Sequence, residues 1–234
     1  YTQDLKRIAY ELDEAQMFPK AAERLLEMSR EITSHTLIEN VPDAGLLSDL
    51  KNLMDALGLK FVLIGGLAVN IHGQPRGTDD IDVIVDSIPD QTKTRDARFM
   101  ETFGFYRASS STGTMMVIDH RKFGQVELLV ANDPIRMRAI DTAVETVVMR
   151  TPVPLVTPEA LIALKAAAMS SPSRNQRKRD QDVADIVSIG LRNKIDRDEL
   201  TSMLGDQRAD EIMKIVDTAR GAQTDKTNDE SEDF

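Results

Sequence analysis

The chain has 234 residues, of which 41% are hydrophobic and 29% are charged, as in a globular protein with one large domain or two small ones. It contains no cysteine, which excludes disulfide bonds, thiolate metal sites and cysteine nucleophiles. A net charge of −10 excludes a general nucleic-acid coat, so any contact with a nucleic acid depends on a local basic patch. No apolar run is long enough to span a bilayer, and we predict a cytoplasmic protein without a membrane partner.

The first part of the chain is predicted to be helical. Apolar residues recur at near-helical spacing over residues 1–35, and residues 46–57 repeat them at intervals of three and four. Gly58 follows as the expected end of that helix. We therefore predict an N-terminal helical segment over residues 1–57.

The middle of the chain, residues 58–156, is predicted to be a mixed α/β core. A hairpin is expected where "TMMVID" and "QVELLV" flank "HRKFG". The predicted strands are residues 60–64, 81–85, 114–119, 125–130 and 144–149, and the predicted helices are residues 67–72 and 93–103.

The last third is predicted to be a helical domain over residues 157–220. Its expected helices are residues 158–170, 178–189, 196–204 and 206–219. Residues 221–234 hold five acidic residues and one lysine, so −4 of the net charge lies in what we predict to be a disordered acidic tail. The order predicts an α+β fold, in which a small mixed sheet is flanked by N-terminal helices and a C-terminal helical bundle.

Two aspartates interrupt the apolar strand "IDVIV". Side chains alternate along a strand, so Asp80 and Asp82 share one face while Ile81 and Val83 take the other. Two neighbouring anions repel, and a divalent cation between them relieves the repulsion. Such oxygen ligands suit Mg²⁺, which usually shares its coordination with water and substrate phosphates. The alternative is a solvated strand end.

A third acid stands in a second apolar strand. Glu127 alternates with Val126 and Leu128 in "QVELLV", so it faces away from the apolar side. Three carboxylates that hold two metal ions clamp the attacking and leaving oxygens of a phosphoryl transfer. The alternative is an edge-strand glutamate that faces water.

A glycine pair precedes these acids. Gly65 and Gly66 break the first strand and allow close approach of the backbone, and the helix that follows presents unpaired N–H groups that attract phosphate. A glycine pair alone usually marks a turn. Here it stands 14 residues before Asp80 in a strand–turn–helix–loop–strand context, which is more specific.

These segments resemble a known family. "IGG" at 64–66, "RGTDDID" at 76–82 and "VELLV" at 126–130 are similar to the signature of the DNA polymerase beta-type nucleotidyltransferase superfamily. The segment "GGLAVNIHGQPRGTDDID" looks most like the AbiEii toxin-type minimal nucleotidyltransferases. The later segments "TPEALIALKAAA" and "RDQDVADI" are similar to the helical motifs of the same group. The resemblance covers roughly residues 58–190.

The resemblance implies a set of site residues. It implies metal binding, of Mg²⁺ or Mn²⁺, by Asp80 and Asp82, with Glu127 as the third carboxylate where many relatives have aspartate. The residues expected to contact the nucleotide or its phosphates are Gly65, Gly66, Arg76, Thr78 and Lys165, and Asp182 matches the family's later acid. The alternatives are a solvated Arg76, a Thr78 that only enters the strand, a Lys165 that reaches water and an Asp182 exposed on its helix.

The resemblance also implies a function. We predict a metal-dependent nucleotidyltransferase that moves a nucleoside monophosphate from a nucleoside triphosphate to RNA such as tRNA, or to a protein. The resemblance further implies that the protein is a toxin of a toxin–antitoxin or phage-defence system and has a cognate antitoxin. The basic residues Arg174, Arg177, Lys178 and Arg179 favour a polyanionic acceptor slightly. The alternatives are a small-molecule acceptor, as in antibiotic-modifying nucleotidyltransferases, and a non-catalytic module that binds a nucleotide or a partner.

Overall fold

The computed structural model describes residues 42–229 except residues 91 and 113, without the side chains of residues 107–112 and 222–229. The helices predicted over residues 1–35 lie outside this part of the chain. The described helices are α1 (Ala44–Leu57), α2 (Gly65–His72), α3 (Thr94–Thr102), α4 (Pro134–Asp141), α5 (Pro158–Met169), α6 (Gln176–Arg192), α7 (Arg197–Leu204) and α8 (Asp206–Asp229). The strands are β1 (Phe61–Ile64), β2 (Ile81–Val85), β3 (Phe105–Thr112), β4 (Met115–His120), β5 (Gly124–Val130), β6 (Val144–Val148) and β7 (Thr151–Leu155).

All seven strands form one mixed sheet in the order β3-β4-β5-β2-β1-β7-β6. The two central strands, β1 and β2, are antiparallel, whereas β2 pairs with β5 and β1 with β7 in parallel. This arrangement confirms the α+β fold with a mixed sheet. Every residue of β1 is buried, and in β2 only Asp82 is not fully buried.

The described residues divide into two compact units. The sheet unit comprises residues 42–71 and 75–161, and the helical unit comprises residues 72–74 and 162–229. Helix α1 belongs to the sheet unit, where the Asp43 side chain caps it by accepting a hydrogen bond from the Gly45 N–H at 2.7 Å. Its leucines at positions 46, 47, 50 and 53 are fully buried, so the predicted amphipathic face packs into the core.

The sequence prediction missed two strands and a helix. β7 contains Pro152 and Pro154, which cannot donate to a ladder and argue against a strand. The two-residue turn between Val148 and Thr151 places both prolines at non-hydrogen-bonded positions opposite β6. Their missing N–H groups therefore face β1, with which β7 pairs only at Leu63 and Leu155.

The other missed strand, β3, lies at one edge of the sheet and reads "FYRASSST", without the apolar alternation that marks a half-buried strand. The missed helix is α4, which begins with a proline after Asp133. The Asp133 side chain caps it by accepting a hydrogen bond from the Arg136 N–H at 2.9 Å. An aspartate followed by proline at the first helical position is a helix start signal that the sequence itself contains.

In the helical unit, residues 72–74 are fastened to α6. Asn193 Nδ2 donates to the carbonyl oxygen of His72 at 2.6 Å, and the N–H of Gln74 donates to Ser188 Oγ at 2.5 Å. Helix α8 continues to Asp229, so residues 221–229 are helical where we predicted a tail. None of the described helices combines the length and the hydropathy that crossing a membrane requires.

Candidate active site

The sheet brings two of the three predicted carboxylates side by side. β2 and β5 are parallel neighbours, and Asp82 is the register partner of Glu127. Both side chains are partly buried, while Ile81, Val83 and Val126 are fully buried on the other face. The alternation predicted for both strands is therefore observed. Asp80 precedes β2 in a bend and is exposed.

The glycine pair lies directly against Asp82. Gly65 begins α2 with a φ of 66°, in the left-handed region that favours glycine. A Cβ atom at this position would lie 1.8 Å from Asp82 Oδ2. The carboxylate thus occupies the space over the first turn of α2, where the N–H groups and the helix dipole stabilise negative charge. Gly65 is required both for its backbone conformation and for the approach of Asp82.

The second glycine lies against the loop that leads to the acids. A Cβ atom at Gly66 would lie 2.3 Å from Thr78 Oγ1. Thr78 in turn directs this hydroxyl towards the carbonyl oxygen of Asp80, at 3.4 Å. The main chain of Arg76 is hydrogen-bonded to Asn70 of α2. Arg76 and Thr78, both predicted to contact nucleotide, therefore lie on the segment that passes over the start of α2.

These residues fit a magnesium ion better than a zinc ion. Among residues 42–229 as described, no group of three or more acidic, histidine or cysteine side chains is arranged to hold a metal ion, so the three predicted carboxylates do not form a complete cage. Mg²⁺ is usually bound by one or two carboxylates and completed by substrate phosphates and water. The adjacent pair Asp82 and Glu127, beside a phosphate-favouring helix start, is a donor set of that kind.

Lys165 and Asp182 form a buried ion cluster in the helical unit. Lys165 Nζ lies 2.6 Å from Asp185 Oδ2 and 3.4 Å from Asp182 Oδ1. Arg174 completes the cluster, with its Nε and Nη2 each 2.8 Å from a different oxygen of Asp182. Lys165 is 8% exposed, Asp182 1% and Asp185 2%, so one ammonium and two carboxylates meet away from water, while the Arg174 side chain is 30% exposed. The predicted roles of Lys165 and Asp182 in nucleotide binding and catalysis stay predictions.

Sequence reasoning missed the participation of Arg174 and Asp185 in this cluster. The spacing of Asp182 and Asp185 on α6, next to the apolar Val183 and Ile186, is the signal that predicts two acids on a buried helix face. No local pattern links Arg174 to Asp182, because the two lie on either side of the start of α6.

The basic segment is smaller than its sequence suggests. Arg174 binds Asp182, and Arg179 Nη2 donates to the carbonyl oxygen of Ser171 at 3.1 Å. Of the four basic residues of this segment, only Arg177 and Lys178 are exposed. Burial raises the pKa of Asp180 in the same helix, opposed by a hydrogen bond from Gln176.

An apolar cavity of about 340 Å³ lies beside α2. It is lined by Leu67, Asn70, Ile71, Pro75 and residues 146–149. No charged side chain lines it, so it does not match a phosphate group. The cavity is distinct from the face that carries Asp82 and Glu127.

A family comparison identifies the chain. Residues 48–232 match the family described as nucleotidyl transferase AbiEii toxin, of type IV toxin–antitoxin systems. The chain belongs to this family. It is a nucleotidyltransferase, as the glycine pair and the acidic strands predicted. The match begins earlier and ends later than residues 58–190, so α8 and all but the first four residues of α1 also lie in the family's region.

One solved structure supports the fold, and a second is a more distant likeness. An antigenic nucleotidyltransferase-like protein from Paracoccidioides brasiliensis is 19% identical, with a TM-score of 0.53 over 76% of this chain and 92% of that one. The lincosamide antibiotic adenylyltransferase LnuA, bound to lincomycin, is 18% identical, with a TM-score of 0.41 over 64% of this chain and 99% of that one. The second likeness is too distant to carry an argument about acceptors. No curated protein sequence matches the chain.

Proposed function

We propose that this AbiEii-family nucleotidyltransferase transfers a nucleoside monophosphate to the 3′-terminal hydroxyl of an RNA such as tRNA, in a reaction that depends on Mg²⁺ or Mn²⁺. The observation that carries the proposal is the register pair of Asp82 and Glu127, with Asp82 over the glycine turn that begins α2. The toxin role proposed for it follows from the same chemistry, since modified RNA ends no longer serve translation. A cognate antitoxin is its proposed partner.

In this mechanism the acceptor hydroxyl oxygen attacks the α-phosphorus of the nucleoside triphosphate. A new P–O bond forms, the bond from the α-phosphorus to the bridging oxygen breaks, and pyrophosphate leaves with that electron pair. When bound, the divalent ion supplies charge neutralisation at the phosphate oxygens. Asp80, Asp82 and Glu127 would hold it, and the N–H groups of the Gly65–Gly66 turn would bind the phosphate chain.

Glu127 is the proposed acceptor of the hydroxyl proton. Its carboxylate neighbours Asp82 in the adjacent strand, so Glu127 would be a base beside a hydroxyl that binds at Asp82. An RNA acceptor is favoured over a small molecule by Arg177 and Lys178, which remain exposed at the start of α6 and are free of ion pairs within the described part of the chain. A protein hydroxyl is the second candidate, and the experiment below separates the two.

The test is incubation with each of the four α-³²P-labelled nucleoside triphosphates, Mg²⁺ or Mn²⁺, and a cell extract, followed by nuclease or protease digestion. We expect metal-dependent label that nuclease removes and protease does not. Asp82→Asn and Glu127→Gln should lower the labelling at least about 100-fold. The matched controls Asp141→Asn and Glu145→Gln change exposed acids of the same unit and should keep it. Label removed only by protease points to a protein acceptor, and no label in any macromolecule contradicts the proposal.

A further inference from the structure

The loop between α2 and β2 determines where Asp80 and Asp82 lie. It leads from His72 at the end of α2 back to Asp80 and Asp82 beside the start of the same helix. Residues 74–79 have no regular secondary structure, so no backbone ladder fixes their path. Side-chain contacts must therefore hold this loop so that Asp80 and Asp82 lie beside the start of α2.

Asn70 supplies that contact. Its side-chain amide makes two hydrogen bonds to the main chain of one residue, Arg76. Nδ2 donates to the carbonyl oxygen of Arg76 at 2.8 Å, and the N–H of Arg76 donates to Oδ1 at 2.8 Å. The amide thus acts as a strand neighbour would, satisfying both main-chain groups of Arg76 at once.

The loop and the start of β2 make two further contacts along α2, at Gly66 and at Gly65. Gly66 lies four residues before Asn70, one turn or about 6 Å along the same face of α2. Thr78 lies two residues after Arg76 and packs against Gly66. Two residues of chain span at most about 7 Å, so the segment from Arg76 to Thr78 has little slack between these two contacts. Asp82 then packs against Gly65.

The position argues against a merely space-filling role. Asn70 lines an apolar cavity together with Leu67 and Ile71, where an apolar residue would pack at least as well. Asparagine is also a poorer helix former than leucine or alanine, because its side chain competes for backbone hydrogen bonds. Its amide is used for the one purpose that an apolar side chain cannot serve, which is to bind the main chain of Arg76.

We infer that Asn70 is a positioning residue for nucleotidyl transfer, whose amide sets the register of the α2–β2 loop and so delivers Asp80 and Asp82 to the metal and phosphates. This inference rests on the proposed function for its catalytic consequence, but the structural part stands alone. It predicts that the loop, not the fold, depends on Asn70.

Hydrogen exchange tests the structural part without any ligand. In Asn70→Ala the amide of Arg76 loses its acceptor, and we expect its exchange to become at least 10-fold faster, together with the amides of residues 77–80. The amides of β1 and α1 should exchange as in the wild type. Asn132→Ala, which removes a side-chain hydrogen bond to Arg136 in the same unit, is the matched control and should leave the loop unchanged. Unchanged exchange at Arg76 in Asn70→Ala overturns the inference.

Binding of Mn²⁺ with inorganic triphosphate, followed by electron paramagnetic resonance, tests the functional part and avoids the unknown base preference. Loss of a group that orients metal ligands weakens metal binding about 10–100-fold, which is the effect expected for Asn70→Ala. Asn70→Asp keeps the acceptor for the Arg76 N–H and should lie between Asn70→Ala and the wild type. In the labelling assay the rate of label transfer should fall for Asn70→Ala and fall less for Asn70→Asp.

The two proposals fail differently. A wild-type protein that binds neither Mn²⁺ nor triphosphate contradicts the metal-dependent function, and the exchange data still decide the role of Asn70 in the loop. A wild-type protein that binds them, with Asn70→Ala binding equally well, contradicts the positioning role alone.

Discussion

Two pairs of aspartates in this protein carry the same charge in opposite settings. Asp182 and Asp185 on α6 are at most 2% exposed and meet the ammonium of Lys165 and the guanidinium of Arg174. Asp80 and Asp82 at the start of β2 are exposed and partly buried respectively, and the strand neighbour of Asp82 is another acid, Glu127. The first pair is neutralised by the chain itself.

The difference teaches how to tell a structural acid from a functional one. Carboxylates that are buried with matching cations contribute to the stability of their unit, and removing one partner leaves a charge buried. For carboxylates that face a like charge beside a helix start, we propose a role in binding a cation from outside the chain. The family resemblance implies roles in the reaction for both Asp82 and Asp182; their surroundings differ, and both roles stay predictions.

The largest effect is expected from Lys165→Met. It removes the ammonium that contacts both Asp182 and Asp185, so we expect the free energy of unfolding to fall by about 3–5 kcal/mol. Urea denaturation measures it. Lys178→Met, an exposed lysine of the same unit, is the control and should change stability by less than about 0.5 kcal/mol. Equal stability of the two variants would contradict a stabilising role for the ion pairs of Lys165. Phosphate binding would then remain as the only role predicted for this residue.

The second prediction compares the two aspartates directly. Asp182→Asn should destabilise by about 3 kcal/mol, because Arg174 and Lys165 lose a buried partner. Asp82→Asn should destabilise less than Asp182→Asn, since it also relieves the repulsion with Glu127. The same denaturation curves decide it, with the labelling assay run in parallel. If Asp82→Asn destabilises as much as Asp182→Asn, the strand acids are structural and the distinction fails.

The third prediction concerns the close contact between Gly66 and Thr78, in the loop that leads to Asp80 and Asp82. Gly66→Ala places a methyl group against Thr78, and we expect a loss of about 1–3 kcal/mol with a larger loss of activity. The double variant with Thr78→Gly should recover part of both. Gly221→Ala is the control, since its Cβ meets nothing within 4 Å in α8 and should stabilise slightly. Wild-type activity in Gly66→Ala would show that Thr78 moves away without consequence.

Much of the sheet was predictable because its central strands combine apolar runs with clear turns. The alternation around Asp82 and Glu127 correctly indicated which side chains share a face, although only the register of β2 and β5 makes them neighbours. β7 was not predictable in the same way, since its prolines are tolerated only because of where β1 and β6 lie.

The rest of the site depends on contacts between distant parts of the sequence. Asn70 reads as an ordinary polar residue on a short helix, and only the folded loop brings its amide to Arg76. Arg174 reads as one basic residue among four, and only the position of α6 pairs it with Asp182. Local pattern gives residue types and faces, whereas the partners of a side chain come from tertiary structure.

The contacts of α2 with the loop also bear on how this gene tolerates insertions and deletions. Loops usually absorb changes of length, but here residues 76–82 are tied to α2 at Asn70, Gly66 and Gly65. One extra codon between Thr78 and Ile81 shifts β2 by one position, which turns Asp82 towards the core and an isoleucine or valine towards the nucleotide. Length variation among relatives should therefore be absent from this segment and concentrate elsewhere in the chain.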